Sequence, residues 1–424
     1  MLLAEHDDDV IEGVGLAAER GWPVSVRSGG HSWAAWSLRD DALLIELGGL
    51  RDLAYEPATG MVSARPAVRG GLELAPFLAA RGRAFPGGHC ASVGLGGYLL
   101  QGGQGWDGRA RGWACQSVVG LDVVLADGAL VRADASGNPD LLWAARGAGP
   151  GFPGVVTRFY LQTYPAPRVM WHDTWSFAVE DTVELLTWLH EVLPGLDRRV
   201  EPVVAATRLP DVPLHDGVAR PDGTVLLLHT TVMASSDSEA LALLAPLRDG
   251  PLAGRSLGHV RGPTSVAEEN LAQTVQNPEG YRYAVDCTWT DAPAEVLAPM
   301  LQELWSELAT EHSFSIWYGW APTASRPDMA FSVEANVYVA TYVIYTDPAD
   351  DTRHTDWVHR RMAALASAQG AGVYLGDTDF TRRQDRFLSD DAYRRLAAIR
   401  AERDPSGRFA SYLTCAPEGL NVHG

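Results

Sequence analysis

Between residues 333 and 345 apolar and polar side chains alternate. Val333, Ala335, Val337, Val339 and Val343 hold odd positions, and Glu334, Asn336, Tyr338 and Tyr342 stand among the even ones. A period of two is that of a strand which buries one face and turns the other toward something polar. Aromatic-rich runs at 171–179, 225–233, 281–289 and 314–320 predict four more strands, separated by helical stretches at 181–193, 238–248, 294–311 and 355–369. Strands and helices mixed in this way predict a broad sheet covered on one face.

The chain before residue 165 has a different texture. Asp7 to Asp9 cap a predicted helix with Val10, Ile11, Val14, Ala17 and Ala18 on one face, and Gly21 ends it. Strands are predicted at 23–26, 42–47 and 61–64, a helix at 72–81, and a hairpin from 118–125 into 130–133 through Asp127-Gly128. Pro165 and Pro167 mark the change, giving predicted domains at 1–165 and 166–375. A last segment, 376–424, carries a helix capped by Ser389, running through Tyr393 to Arg403 and stopped at Pro405. The fold class is α+β.

Charge narrows the choice of partners. The 424 residues carry a net charge of −19, which argues against nucleic acid or an anionic membrane surface. All 34 basic residues are arginine. Cys90, Cys115, Cys287 and Cys415 are widely scattered, without the close pairs of a zinc site or a disulfide framework, so no metal and a reduced, cytoplasmic chain are expected. Met1-Leu2-Leu3 runs straight into acidic residues, and no stretch approaches the ~18 apolar residues of a membrane span, so neither export nor membrane insertion is expected.

The candidate chemistry sits in two glycine loops. Arg27-Ser28-Gly29-Gly30-His31-Ser32 follows the first short strand, and Pro86-Gly87-Gly88-His89-Cys90-Ala91-Ser92-Val93-Gly94-Leu95-Gly96-Gly97 answers it, running on to Gly102, Gly103 and Gly105. Consecutive glycine amides can point at an anion, so the two loops could clasp one diphosphate. Each also carries one nucleophilic side chain, His31 or Cys90.

In this order the motifs resemble the PCMH-type FAD-binding module of the vanillyl-alcohol oxidase superfamily, and within it the berberine bridge enzyme-like oxidases. The resemblance continues through Ala126-Asp127-Gly128, Asp140-Leu141-Leu142-Trp143-Ala144-Ala145-Arg146-Gly147 and Gly154-Val155-Val156-Thr157. It implies a two-part FAD-binding domain, a substrate domain with a large, mainly antiparallel sheet covered by helices on one face, and a tail returning to the first domain. It also implies FAD bonded through His31 at the 8α methyl and Cys90 at C6, within a cofactor set of Arg27, Ser28, Gly29, Gly30, Ser32, Val93, Gly94, Gly96, Gly97, Tyr98, Gly154 and Val156. In the family a valine at the position of Val93 goes with oxidase activity, and Tyr98 stands where relatives carry a histidine near the flavin. Phe152-Pro153 and Gln116-Ser117 depart from the family's motifs.

The family's catalytic tyrosine motif has only Tyr393 and Arg395-Leu396 as counterparts in Leu388-Ser389-Asp390-Asp391-Ala392-Tyr393-Arg394-Arg395-Leu396. The polar face of the 333–345 strand supplies replacements: Tyr338 or Tyr342 as base, Glu334 and Asn336 as hydrogen-bond partners, and Arg282, on a parallel strand, to lower the phenol's pKa. The resemblance lets that face roof the flavin. Trp171, Trp175, Trp289, Trp317, Tyr318 and Trp320 fit a stacking pocket, with about half expected in the core. His172 and His229 also fall on strands, where a lone histidine is more often satisfied structure than chemistry. The expected function is a bicovalent FAD oxidase that takes a hydride from a C–O or C–N carbon of a bulky natural product and reduces molecular oxygen to peroxide. Its rivals are an oligosaccharide oxidase, a flavin-dependent oxygenase and a degenerate flavin binder.

Overall fold

The computed structural model describes residues 1–248, 250–323 and 325–415, and the side chain of Cys415 lies outside the described residues. By its contacts the chain divides into two units: Met1–Ala166 with Ser325–Ser332 and Gln384–Gly424, and Pro167–Ala324 with Val333–Arg383.

In the first unit, β1 (Leu2–Leu3), β2 (Val24–Arg27) and β3 (Leu43–Glu46) form a parallel sheet in the order β1-β3-β2. The helix Asp7–Arg20 covers it, with aspartates at its positive end and Gly21 closing it at φ 67°. Its buried Val10, Val14 and Ala17 pack in one cluster with Val24, Ile45, Val124, Val155 and Phe409. Phe409 comes from the tail. The segment Arg408–Ala410 lies along β2, with Val24 N–H donating to Arg408 O at 2.7 Å and Ala410 N–H to Val24 O at 2.9 Å. The tail thus covers a sheet edge that would otherwise stand open.

The unit's other sheet joins β4 (Leu53–Glu56), β5 (Met61–Ala64), β7 (Val118–Val124), β8 (Leu130–Asp134) and β9 (Val155–Gln162) in the antiparallel order β4-β5-β9-β7-β8. A small pair, β6 (Arg83–Ala84) and β10 (Tyr164–Pro165), stands apart from it. The helix predicted at 72–81 is shorter: a wide turn at Gly70–Leu74 precedes a helix at Ala75–Ala79. The cause is local, since Gly70 N–H bonds to Val93 O and the Gly71 and Leu72 amides bond to Ala91 O.

The segment Ser325–Ser332, predicted in the substrate domain, belongs to the first unit, and the return begins at Gln384 rather than 376. Phe331 is the reason. Its N–H donates to Arg146 O at 2.9 Å, and its ring stacks 4.1 Å from Trp113. Asp328 accepts from Trp143 Nε1 and from Arg395.

In the second unit, β11 (Val169–Ala178), β12 (Val200–Thr207), β13 (Val225–Ala234), β14 (Gly258–Thr264), β15 (Arg282–Thr290), β16 (Phe314–Gly319), β17 (Val337–Tyr345) and β18 (Gly370–Gly372) form one sheet. Its order is β14-β11-β13-β12-β16-β17-β15-β18, antiparallel throughout. The helices Thr182–Val192, Asp237–Arg248, Ala294–Ser306 and Asp351–Ser367 cover one face. There Leu185, Leu244, Leu301 and Met362 share one buried cluster with Val337, Val339 and Val343 of β17. The strand starts four residues later than predicted, because Asp291 holds both the backbone and the side-chain amide of Asn336.

Gly147, at φ +121°, would place a Cβ 2.4 Å from the Phe331 backbone. Gly147→Ala is therefore expected to cost on the order of 1–3 kcal/mol in backbone strain, with the displacement of Phe331 added. Thermal unfolding should show it, against a Gly15→Ala control whose Cβ meets nothing within 4 Å.

Candidate active site

The first loop leaves β2 at Arg27 and meets the second backbone to backbone. A Cβ on Gly29 would lie 2.5 Å from Gly94 N, and one on Gly94 2.9 Å from Gly29 Cα. A Cβ on Gly96 would lie 2.6 Å from Ser28 Oγ. Only glycine permits this approach, and it fixes the loop bearing His31 against the loop bearing Cys90. Ser92 Oγ lies 3.0 Å from His31 Nε2 and so orients the imidazole from the opposite loop. His31 is exposed; Cys90 and Val93 are half-buried, and Ser32 and Gly97 are exposed.

Other members of the predicted cofactor set have structural duties. Arg27 pairs with Glu46, which also accepts from Gly48 N–H. The Leu95 and Gly96 amides donate to Val68 O and Pro66 O, so these two N–H groups are committed to backbone. Gly154 gives room to Val123, and Val156 is buried in β9. Tyr98 is also buried and donates to Pro86 O at 2.7 Å. Its ring explains three glycines: a Cβ on Gly88, Gly103 or Gly105 would come within 3.2, 2.8 and 2.6 Å of it. Gly102 makes the same allowance for Phe331. Gly102 and Gly103 thus admit aromatic rings, and Gly105 admits the Gly87 carbonyl and the Tyr98 hydroxyl.

In the second unit the face opposite the covering helices carries a row across six strands. Thr174, His229, Val203, Tyr318 and Tyr338 are consecutive cross-strand neighbours, followed by Trp289. Tyr318 donates to Glu201 at 2.7 Å. Tyr338 and Tyr342 both donate to Asp377 Oδ2, at 2.5 and 3.0 Å. This differs from the sequence expectation in three ways. Burial, then the Asp377 charge, pushes the Tyr338 phenol well above its usual pKa, where a base needs it lowered. Arg282 sits on an antiparallel strand and is paired with Asp351. Glu334 accepts from Trp320 Nε1 and Asn336 is held by Asp291, while the acceptor the two phenols share is Asp377.

Asp377 is the group that sequence reasoning missed. It is half-buried, in an irregular segment with no periodicity to mark it. A buried charge cluster holds that segment: Arg383 donates to both Asp286 oxygens, at 2.6 and 2.9 Å, and to Cys287 O at 2.6 Å, with His359 Nδ1 2.8 Å from Asp286 Oδ2. The predicted aromatic pocket divides. Trp317 is core and Trp171 and Trp175 pack against that core, whereas the Trp289 ring lies 4.6 Å from that of Tyr338, tilted by 43°.

A family described as an FAD binding domain matches residues 1–134. The FAD-linked oxidoreductase janO of Penicillium janthinellum is 35% identical over 407 residues, covering 95% of this chain and 88% of that protein. The crystal structure of 6-hydroxy-D-nicotine oxidase from Arthrobacter nicotinovorans is similar with a TM-score of 0.81 at 23% identity, covering 96% of this chain and 90% of that one. Berberine bridge enzyme from Eschscholzia californica gives 0.79 at 18% identity, covering 98% and 91%. The glycine-only contact, with an imidazole and a thiol on its two loops, fits a flavin gripped by backbone and side-chain nucleophiles. Among the described residues no helix is long and apolar enough to cross a membrane.

Asp377→Ala removes the acceptor of a fully buried phenol, which should cost about 1–3 kcal/mol of stability, and Asp377→Asn, which keeps an oxygen, should cost less. Denaturant unfolding of the two variants checks the order.

Proposed function

The chain belongs to the FAD-linked oxidoreductases, and on that premise we propose that it is an oxidase of the berberine bridge enzyme-like, PCMH-type kind, carrying its FAD on both His31 and Cys90. The observation that carries this reading is the contact at Gly29 and Gly94, which joins the two loops bearing the nucleophiles. Bound FAD supplies the hydride acceptor and, on reoxidation by molecular oxygen, yields hydrogen peroxide. Gly29, Gly30, Ser32, Gly94 and Gly97 line the seam that would hold it. Val93, short and half-buried three residues from Cys90, supports access for oxygen.

On the second unit, Asp377 is the proposed base. Its carboxylate takes the proton of a substrate hydroxyl or amine, directly or through Tyr342, while Tyr338 stays protonated and anchors it. The assignment moves the basic role from the phenols to their shared acceptor. The substrate class proposed is a bulky natural product with an oxidisable C–O or C–N carbon; the long row from His229 to Trp289 supports a large molecule over a small alcohol.

Acid precipitation of the purified protein should leave the flavin in the pellet for the wild type, His31→Ala and Cys90→Ala, and release it only from the double variant. Flavin washing free of the wild type would overturn the covalent reading and leave FAD binding intact. Peroxide release, screened on hydroxylated polycycles, amines and oligosaccharides, identifies the substrate class. With that substrate Asp377→Asn should lower kcat by about 100-fold or more at retained flavin content, and Tyr342→Phe by less.

A further inference from the structure

At the edge of the second unit's sheet, two histidines and a carboxylate converge. His172 on β11 and His229 on β13 are diagonal neighbours, His172 opposite Thr231 and Thr174 opposite His229, on the face away from the covering helices. The helix Val266–Gln276 lays Glu269 against them. Glu269 Oε1 is 3.1 Å from His172 Nδ1, and its Oε2 is 3.2 Å from His229 Nε2. All three groups offer ligand atoms within 4.8 Å of one another.

We propose that His172, His229 and Glu269 form a binding site for a borderline divalent cation of the zinc class. Zinc takes imidazole nitrogen and carboxylate oxygen at about 2.0–2.2 Å, so neighbouring ligand atoms of a tetrahedral site stand about 3.4 Å apart. Glu269 meets His172 through Oε1 and His229 through Oε2, each at a separation within a few tenths of that, and one ligand atom from each of the three groups can be taken with none more than 4.8 Å apart. Three protein ligands leave one position open, as zinc sites that bind a further ligand do. A second layer of contacts is also in place. Thr174 Oγ1 lies 2.8 Å from His229 Nδ1, and Thr264 Oγ1 donates to Glu269 Oε1 at 2.7 Å.

Electrostatics favours a cation here. The Glu269 carboxyl is buried, which works against its charge, yet its bonds from His172, His229 and Thr264 hold it well below the usual range. Its ionised form has no arginine partner among the described residues. A buried carboxylate supported only by imidazoles and a hydroxyl is poorly compensated once those imidazoles are neutral. The nearby carboxylates are Asp173, bonded to His259, and Glu268, bonded to Ser265. Both imidazoles are about a quarter exposed, at 28% and 25% of their side chains, which leaves an entry path.

The proton balance is simple. In neutral His172 the hydrogen moves from Nδ1 to Nε2 and the freed lone pair binds the metal. In neutral His229 it moves to Nδ1, where Thr174 Oγ1 accepts it. An imidazolium releases one proton on binding the metal, so affinity falls as pH drops.

The test uses flavin-loaded, tag-free protein stripped with chelator and titrated calorimetrically with Zn2+ in two buffers of different ionisation enthalpy. One ion per chain is expected, with proton release increasing toward lower pH. Glu269→Gln and His229→Ala should each weaken binding beyond the roughly 10–100-fold typical of outer-layer changes, and Thr174→Val should fall within that range. Flavin content and circular dichroism confirm that the variants fold. Absence of one-to-one binding in the wild type, or binding that survives Glu269→Gln/His229→Ala unchanged, overturns the site.

Discussion

Two main chains packed closer than any side chain allows are the constraint on which the first unit's chemistry depends. Gly29 and Gly94 meet at backbone distance, and Gly96 makes the same concession to Ser28. Everything around them maintains that approach. Gly70, Gly71 and Leu72 bind the carbonyls of Ala91 and Val93, the Leu95 and Gly96 amides are tied to Val68 and Pro66, and Ser92 reaches across to His31. Apart from the Ser92–His31 contact, the hydrogen bonds of the seam are main-chain bonds, which no rotamer change can release.

The second unit solves a different problem, holding polar groups on a sheet whose central strands β15, β16 and β17 are largely buried on both faces. It does so by pairing. Tyr318 finds Glu201, Trp320 finds Glu334, and Tyr338 and Tyr342 share Asp377. The segment carrying Asp377 is itself anchored by Asp286, a fully buried carboxylate compensated by the fork of Arg383. Breaking either partner would strand a charge in the interior, a penalty of several kcal/mol in comparable cases.

Sequence periodicity found the strands that alternate and missed those that do not. β17, β13 and β16 were legible from their apolar and aromatic runs, whereas Val200–Thr207 has no aromatic residue and carries a glutamate and a proline, and Gly258–Thr264 carries two glycines and a proline. The helix Val266–Gln276 was missed as well, and with it Glu269, the residue that turns two isolated strand histidines into a cluster. Gly102, Gly103 and Gly105 also have a steric reason that no local pattern shows, since they leave room for Phe331, Tyr98 and the Gly87 carbonyl. Partners separated by many residues, such as Tyr338 with Asp377, leave no local pattern in a chain.

Val24 of the first unit is hydrogen-bonded to residues 408 and 410, and Phe409 is part of the core beneath the helix Asp7–Arg20. During synthesis that core therefore lacks one wall until the whole of the second unit has left the ribosome. The usual order, in which the N-terminal domain matures first, is inverted here. A nascent chain paused before Phe409 presents an open β2 edge and an unfinished hydrophobic surface, so the cell must protect the first unit during translation for as long as the second takes to be made.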